Sequence, residues 1–111
     1  MYYQRTGNKY NNISKVYNGR SYMSKKEAEY ARELDFRQKA KEITEIVPQY
    51  KISLDINNHH ICNYYVDFLV ILADGTKELH EVKGMETDIW RFKWRVTEAL
   101  YGQQYKMILI K

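Results

Sequence analysis

Between Tyr64 and Ala73 every residue is apolar, aromatic or β-branched except one, and the exception is Asp67. A run of this kind reads as a central β-strand covered on both faces. The rest of the chain must therefore supply protein layers on each side of a sheet. An ionised carboxylate in such a strand costs several kcal/mol unless a cation or hydrogen-bond donors meet it. Asp67 thus needs a reason, and the reason lies in its neighbours.

Downstream, Asp74-Gly75 marks a tight turn, and KELHEVKG after it reads as the antiparallel partner strand. Upstream, Pro48 stops any helical continuation, and KISLDI alternates apolar residues at 52, 54 and 56 as a half-buried strand does. Asn57-Asn58 then turns the chain back, so a three-stranded meander is expected. Ser24 and Glu27 have the spacing of a capping box, which starts a helix running to about Lys41. Its inward stripe is Ala28, Ala31, Leu34 and Ala40, with Lys25, Glu29, Arg32 and Glu33 toward water. Glu27 stands four and seven residues before Ala31 and Leu34, which aims a carboxylate at the apolar side. A second helix opens at Thr87 or Asp88 and stops at Gly102, and YKMILIK closes the chain as a strand parallel to the one bearing Glu81. Asn18-Gly19 predicts a small N-terminal hairpin. The fold class is α/β: a mixed sheet with an antiparallel meander, flanked by two helices.

At 111 residues the chain is one domain, read as residues 15–111, preceded by a flexible basic arm over residues 1–14. The arm is either a frayed terminus or a segment that contacts DNA or embraces a second copy. No long apolar run and no secretory signal is visible, so a cytoplasmic location and no membrane are expected. A single cysteine, Cys62, excludes a disulfide framework and a cysteine zinc site. It reads as a small buried residue rather than a nucleophile. A net charge of +4 and eleven tyrosines suit a partner with a phosphate backbone and flat bases.

Thirteen residues separate Asp67 from Glu81, and the turn at Asp74-Gly75 brings their strands side by side. Glu81 and Lys83, two apart, project from one face. Two carboxylates and an ammonium can then share one pocket. A hard divalent ion such as Mg2+, or Mn2+, takes oxygen ligands, here from Asp67, Glu81, the Val82 carbonyl and Glu27. Lys83 is placed to orient a water and to balance phosphate charge. The competing reading is a cross-strand salt bridge between Asp67 and Lys83, with Glu81 exposed on an edge. Were Glu29 rather than Glu27 to face the site, the assignment would shift by half a helical turn.

The runs Ser24-Lys25-Lys26-Glu27-Ala28-Glu29, Val66-Asp67-Phe68 and Glu81-Val82-Lys83-Gly84 resemble the motif series of the PD-(D/E)XK nucleases. They are most similar to the short phage endonuclease families related to Holliday-junction resolvases, over residues 15–111. The resemblance implies a restriction-endonuclease-like core and magnesium-dependent hydrolysis of DNA phosphodiesters, with branched or junction DNA as the favoured substrate and a homodimer as the assembly. By position, Glu27, Asp67, Glu81 and Lys83 are its catalytic set. Val66 stands where the motif's name has proline. The alternative, from a different class, is a non-catalytic DNA- or protein-binding phage regulatory module on the same fold.

Candidate DNA contacts are Lys25 and Lys26 at the start of the first helix, Gln49 beside Pro48, and Arg91, Lys93 and Arg95 on the second helix. Aromatic residues of that helix are expected to pack on the sheet, with Arg91 and Arg95 sharing an exposed face. His59 and His60 lack a third ligand nearby and read as an exposed turn.

Overall fold

A computed structural model of the protein describes residues 16–17, 20–21 and 24–111. Strands β1 (Val16–Tyr17) and β2 (Arg20–Ser21) pair antiparallel, as the predicted hairpin requires. Its Asn18-Gly19 turn and the arm over residues 1–14 lie outside the described residues. Helix α1 (Lys25–Lys39) leads into β3 (Ile43–Ile56), β4 (His59–Leu72) and β5 (Lys77–Val82), followed by helix α2 (Asp88–Tyr101) and β6 (Lys106–Ile110). The last four strands form one sheet in the order β3-β4-β5-β6, antiparallel except for the β5–β6 pair. This is the α/β architecture expected from the sequence, with a meander, a crossover helix and a parallel closing strand. Among the described residues no helix is long and apolar enough to cross a membrane.

Each element follows from local chemistry. Ser24 caps α1 by accepting the Glu27 amide at 3.0 Å, and Thr87 caps α2 by accepting the Trp90 amide at 3.1 Å. Asn57 and Asn58 both take positive φ, the pair of left-handed residues that a two-residue hairpin needs. Lys41, at φ 68°, ends α1 in the left-handed cap conformation, and β3 begins two residues later.

The strand after α1 is longer than its alternation suggested, because Pro48 lies inside β3 rather than before it. β3 is an edge strand, where a residue without an N–H is tolerated. Ala40, expected on the inward stripe, is the exposed C-cap of α1; the helix ends one residue too early to bury it. Phe92, expected on the sheet, faces solvent, because the inward face of that helix carries Trp90, Trp94, Thr97 and Tyr101 instead.

The sheet carries a core on each face. Toward α1, Ala31 and Leu34 pack with Ile43, Phe68, Val70 and Val82. Toward α2, Trp90 packs with Ile52, Leu54, Tyr64, Val66, Leu69 and Leu79. A regular strand puts residues three apart on opposite faces, yet Val66 and Leu69 share one cluster. The alternation is therefore broken between them. The ladder agrees: Pro48 pairs with Phe68 and Tyr50 with Val66, but Gln49 and Asp67 between them do not pair, and Gln49 takes φ 51°. The irregularity sits at the one charged residue of β4's apolar run.

Leu34 is fully buried where α1 meets the sheet, so Leu34→Ala should lower unfolding free energy by about 3 kcal/mol. Ile89→Ala, at a side chain 72% exposed, should change it by less than about 0.5 kcal/mol. Urea titration of the two variants checks both.

Candidate active site

The β4–β5 ladder ends at the Phe68–His80 pair. One step further brings Asp67 opposite Glu81, where the strands part and backbone pairing stops. The two side chains take over from it. The Val82 N–H of β5 donates to Asp67 Oδ2 at 2.8 Å, and the Asp67 N–H of β4 donates to Glu81 Oε1 at 3.3 Å. Each carboxylate thus satisfies an amide that the ladder leaves over, which is why two acids are tolerated there. The break in alternation at Asp67 turns its side chain into this gap.

Four further groups surround the pair. Tyr64 O–H donates to Glu81 Oε1 at 2.8 Å, and Trp90 Nε1–H donates to the Tyr64 oxygen at 2.9 Å. Lys83 Nζ stands 3.7 Å from Glu81 Oε2 and 5.1 Å from the centre of the Trp90 ring, over its face. Gln49 donates to Glu27 Oε2 at 3.2 Å, and its amide lies near enough to the Asp67 carboxylate to favour the charged form. The amide of Gln49, on a left-handed backbone, thus holds the acid on α1 and lines the same cavity as the acid pair on the sheet.

Glu27, Gln49, Asp67, Glu81 and Lys83 line one cavity of about 540 Å3, together with Lys93 from α2. Glu27 is 3% exposed while Glu29 faces solvent, so it is Glu27 that α1 presents to the site. The simple salt-bridge reading does not hold, since Glu81 is buried and Lys83 approaches Glu81. Lys26 sits beside the cavity, its Nζ 3.4 Å from the Lys83 carbonyl. Lys93 Nζ reaches the Asn63 carbonyl at 3.3 Å. Lys25 is exposed on the outside of α1. Arg91 and Arg95 are exposed on α2 away from the cavity lining, with Arg91 paired to Glu86 and Asp88. His59 and His60 are exposed, as expected, but they open β4 opposite Ile56 and Asp55 rather than forming the turn, and His60 is tied to Asp55 at 2.7 Å.

Electrostatics set the character of the site. Burial, and then repulsion from Asp67, push the Glu81 carboxyl up to about 7. Burial also raises Asp67, against the opposing effects of the Val82 amide, the Lys83 charge and Gln49. Tyr64, buried beside Glu81, is held far above the ordinary phenol value. One ammonium thus faces two buried carboxylates, and negative charge is left over. Among the described residues no three His, Cys, Asp or Glu side chains are gathered closely enough to hold an ion by themselves. Two adjacent carboxylates nevertheless fit magnesium, which takes one or two of them and fills its shell with waters and substrate oxygens. The surplus negative charge is what such a cation would neutralise.

Residues 7–111 match the family described as "Protein of unknown function (DUF1064)". The chain belongs to the DUF1064 family. No curated protein and no solved structure matches it.

In this DUF1064 protein the sequence did not point to Tyr64 and Trp90 as site residues. Their only signal was a polar tip on an aromatic body in an apolar context. Nor did it point to a second buried polar chain, on the α1 face. There Tyr30 O–H donates to His80 Nδ1, and His80 Nε2–H donates to Glu78 Oε1 at 2.8 Å. Burial holds His80 below the usual imidazole value, and a carboxylate can only accept, so the Nε2–H tautomer of the neutral ring satisfies all three groups.

Because Glu81 binds its proton more tightly folded than unfolded, its contribution to stability is greatest below about pH 4.5 and is lost as pH rises to about 7. In EDTA, wild type should therefore lose stability across that window relative to Glu81→Gln, and the two urea midpoints, measured at several pH values, should diverge from pH 5 upward.

Proposed function

We propose that this protein is a magnesium-dependent endodeoxyribonuclease of the PD-(D/E)XK type, hydrolysing DNA phosphodiesters and selective for branched DNA. The observation that carries the reading is the opposed pair Asp67 and Glu81 at the parting of β4 and β5, with Lys83 3.7 Å from Glu81 and Glu27 in the same cavity. These are the positions that the motif resemblance assigns to catalysis; Glu27 lies on α1, Asp67 on β4 and Glu81 on β5, and Lys83 directly follows β5, which supports the reading. The net charge of +4 and the lysines at the cavity suit a polyanionic substrate. Branched-DNA preference and a homodimer rest on the resemblance and complete the proposal.

Asp67, Glu81 and the Val82 carbonyl would hold the cation, which when bound supplies a more acidic water and charge stabilisation at the scissile phosphate. In hydrolysis the oxygen of water forms one new P–O bond while one P–O ester bond breaks, giving a phosphate monoester and an alcohol. Lys83 donates to a phosphate oxygen and offsets the charge that builds there. Trp90 and Tyr64 keep Glu81 in one orientation, and Lys83, lying over the Trp90 ring, is held on the same side. Gln49 holds Glu27 from the edge strand, leaving Glu27 to orient the attacking water. Lys93 and Lys26, at and beside the cavity, are placed for flanking phosphates.

Incubation with labelled four-way junction, flap, single-stranded and linear duplex DNA should give cleavage in magnesium and none in EDTA. Asp67→Ala and Lys83→Ala should each lower the rate by roughly 100-fold or more. Unchanged cutting in either variant removes the mechanism, and junction binding without any cutting favours a non-catalytic DNA-binding module.

A further inference from the structure

The mouth of the acid cavity is built differently from its floor. Tyr65 of β4, Met85 of the β5–α2 loop and Ile89 of the first turn of α2 are 53%, 79% and 72% exposed, and all three line the same cavity as Asp67, Glu81 and Lys83. Isolated apolar residues on a surface need no explanation. Three of them, brought from three separate elements to the rim of one charged cavity, do. Phe92, three residues beyond Ile89 on α2 and also exposed, extends the apolar strip along the helix.

We propose that this rim is a seat for an unstacked nucleobase, so that the protein selects DNA in which the base next to the cut phosphate is unpaired. The inference rests on the nuclease reading and names its substrate more closely. A nucleotide joins an anionic phosphate to a flat ring whose edges are polar and whose faces stack on apolar and aromatic groups. The cavity offers the matching pair: cationic Lys83 and Lys93 within it, and an aromatic face with two flexible or branched aliphatic groups at its edge. A base inside a continuous stack turns only its edges to a protein, whereas an unpaired one exposes the π-face that Tyr65 can meet. Met85 and Ile89 are the kind of side chains that enter a vacated step between bases. Helix α2, which carries Ile89 and Lys93 one turn apart, sets the base seat and the phosphate contact in fixed relation.

The test compares binding of a fluorescein-labelled duplex carrying one unpaired adenine with binding of the fully paired duplex, by anisotropy, with calcium replacing magnesium. Wild type should bind the bulged duplex at least about 10-fold more tightly, and the triple variant Tyr65→Ala, Met85→Ala, Ile89→Ala should bind both alike. All three side chains are exposed, so the triple variant should melt at the wild-type temperature, which keeps lost preference distinct from lost fold. Equal binding of the two duplexes by wild type, or a preference that survives in the triple variant, overturns the proposal. It is equally overturned if sedimentation reveals a wild-type dimer that the triple variant breaks while DNA preference is unchanged, since the rim would then belong to a second copy. Cleavage in magnesium is scored separately: a bulge preference without cutting by wild type sinks the nuclease reading and leaves the base seat standing.

Discussion

Two buried acids opposite one another, each holding an amide of the other's strand, are the constraint around which the rest of this protein is arranged. Asp67 accepts from Val82 and Glu81 accepts from Asp67 at the point where β4 and β5 stop pairing. Without those bonds the parting of the strands would leave backbone donors unsatisfied in the interior, and with them it leaves charge instead. The fold accepts the second condition. Lys83, Tyr64, Trp90 and Gln49 are all drawn toward that charge, and they come from β4, α2, the edge strand β3 and the residue that follows β5.

Such a site is poor at stabilising a domain. Both carboxyls bind protons more tightly here than in an unfolded chain, the mark of groups whose ionised forms are under-compensated. Packing supplies the stability from elsewhere, through one apolar cluster under each helix. The contrast with the α1 face is instructive. There the Tyr30–His80–Glu78 chain is also buried, but a neutral imidazole satisfies both neighbours and the cavity does not reach it. One polar cluster is closed on itself, and the other is open to solvent with negative charge left over. Only the open one has the character of a site that works on a ligand.

Much of this was legible in the residues. The interrupted apolar run of β4, the turn residues at 57–58 and 74–75, the Ser24 and Thr87 caps and the Gly102 stop are local signals, and they gave the element order and the direction of every strand in the main sheet. Asp67, Glu81, Lys83 and Glu27 were identifiable because strand parity and helical spacing are short-range rules. The errors were of the opposite kind. Pro48 was read as a boundary because nothing local says that β3 is an edge strand. Phe92 was placed on the sheet because the sequence does not tell how α2 is rotated. Gln49 was visible as a neighbour of the site, but its bond to Glu27 goes with a left-handed backbone that no propensity favours.

The sequence by itself determined the α/β class, the meander and the pairing of Asp67 with Glu81, because alternation, caps and turns act over a few residues and each limits the backbone directly. Only the tertiary structure decided that Glu27 rather than Glu29 faces the cavity, that Tyr64 and Trp90 orient Glu81, and that Tyr65, Met85 and Ile89 meet at its mouth. Those facts are set by where strands part and how helices rotate on a sheet, and these follow from packing the whole chain at once rather than from any segment of it.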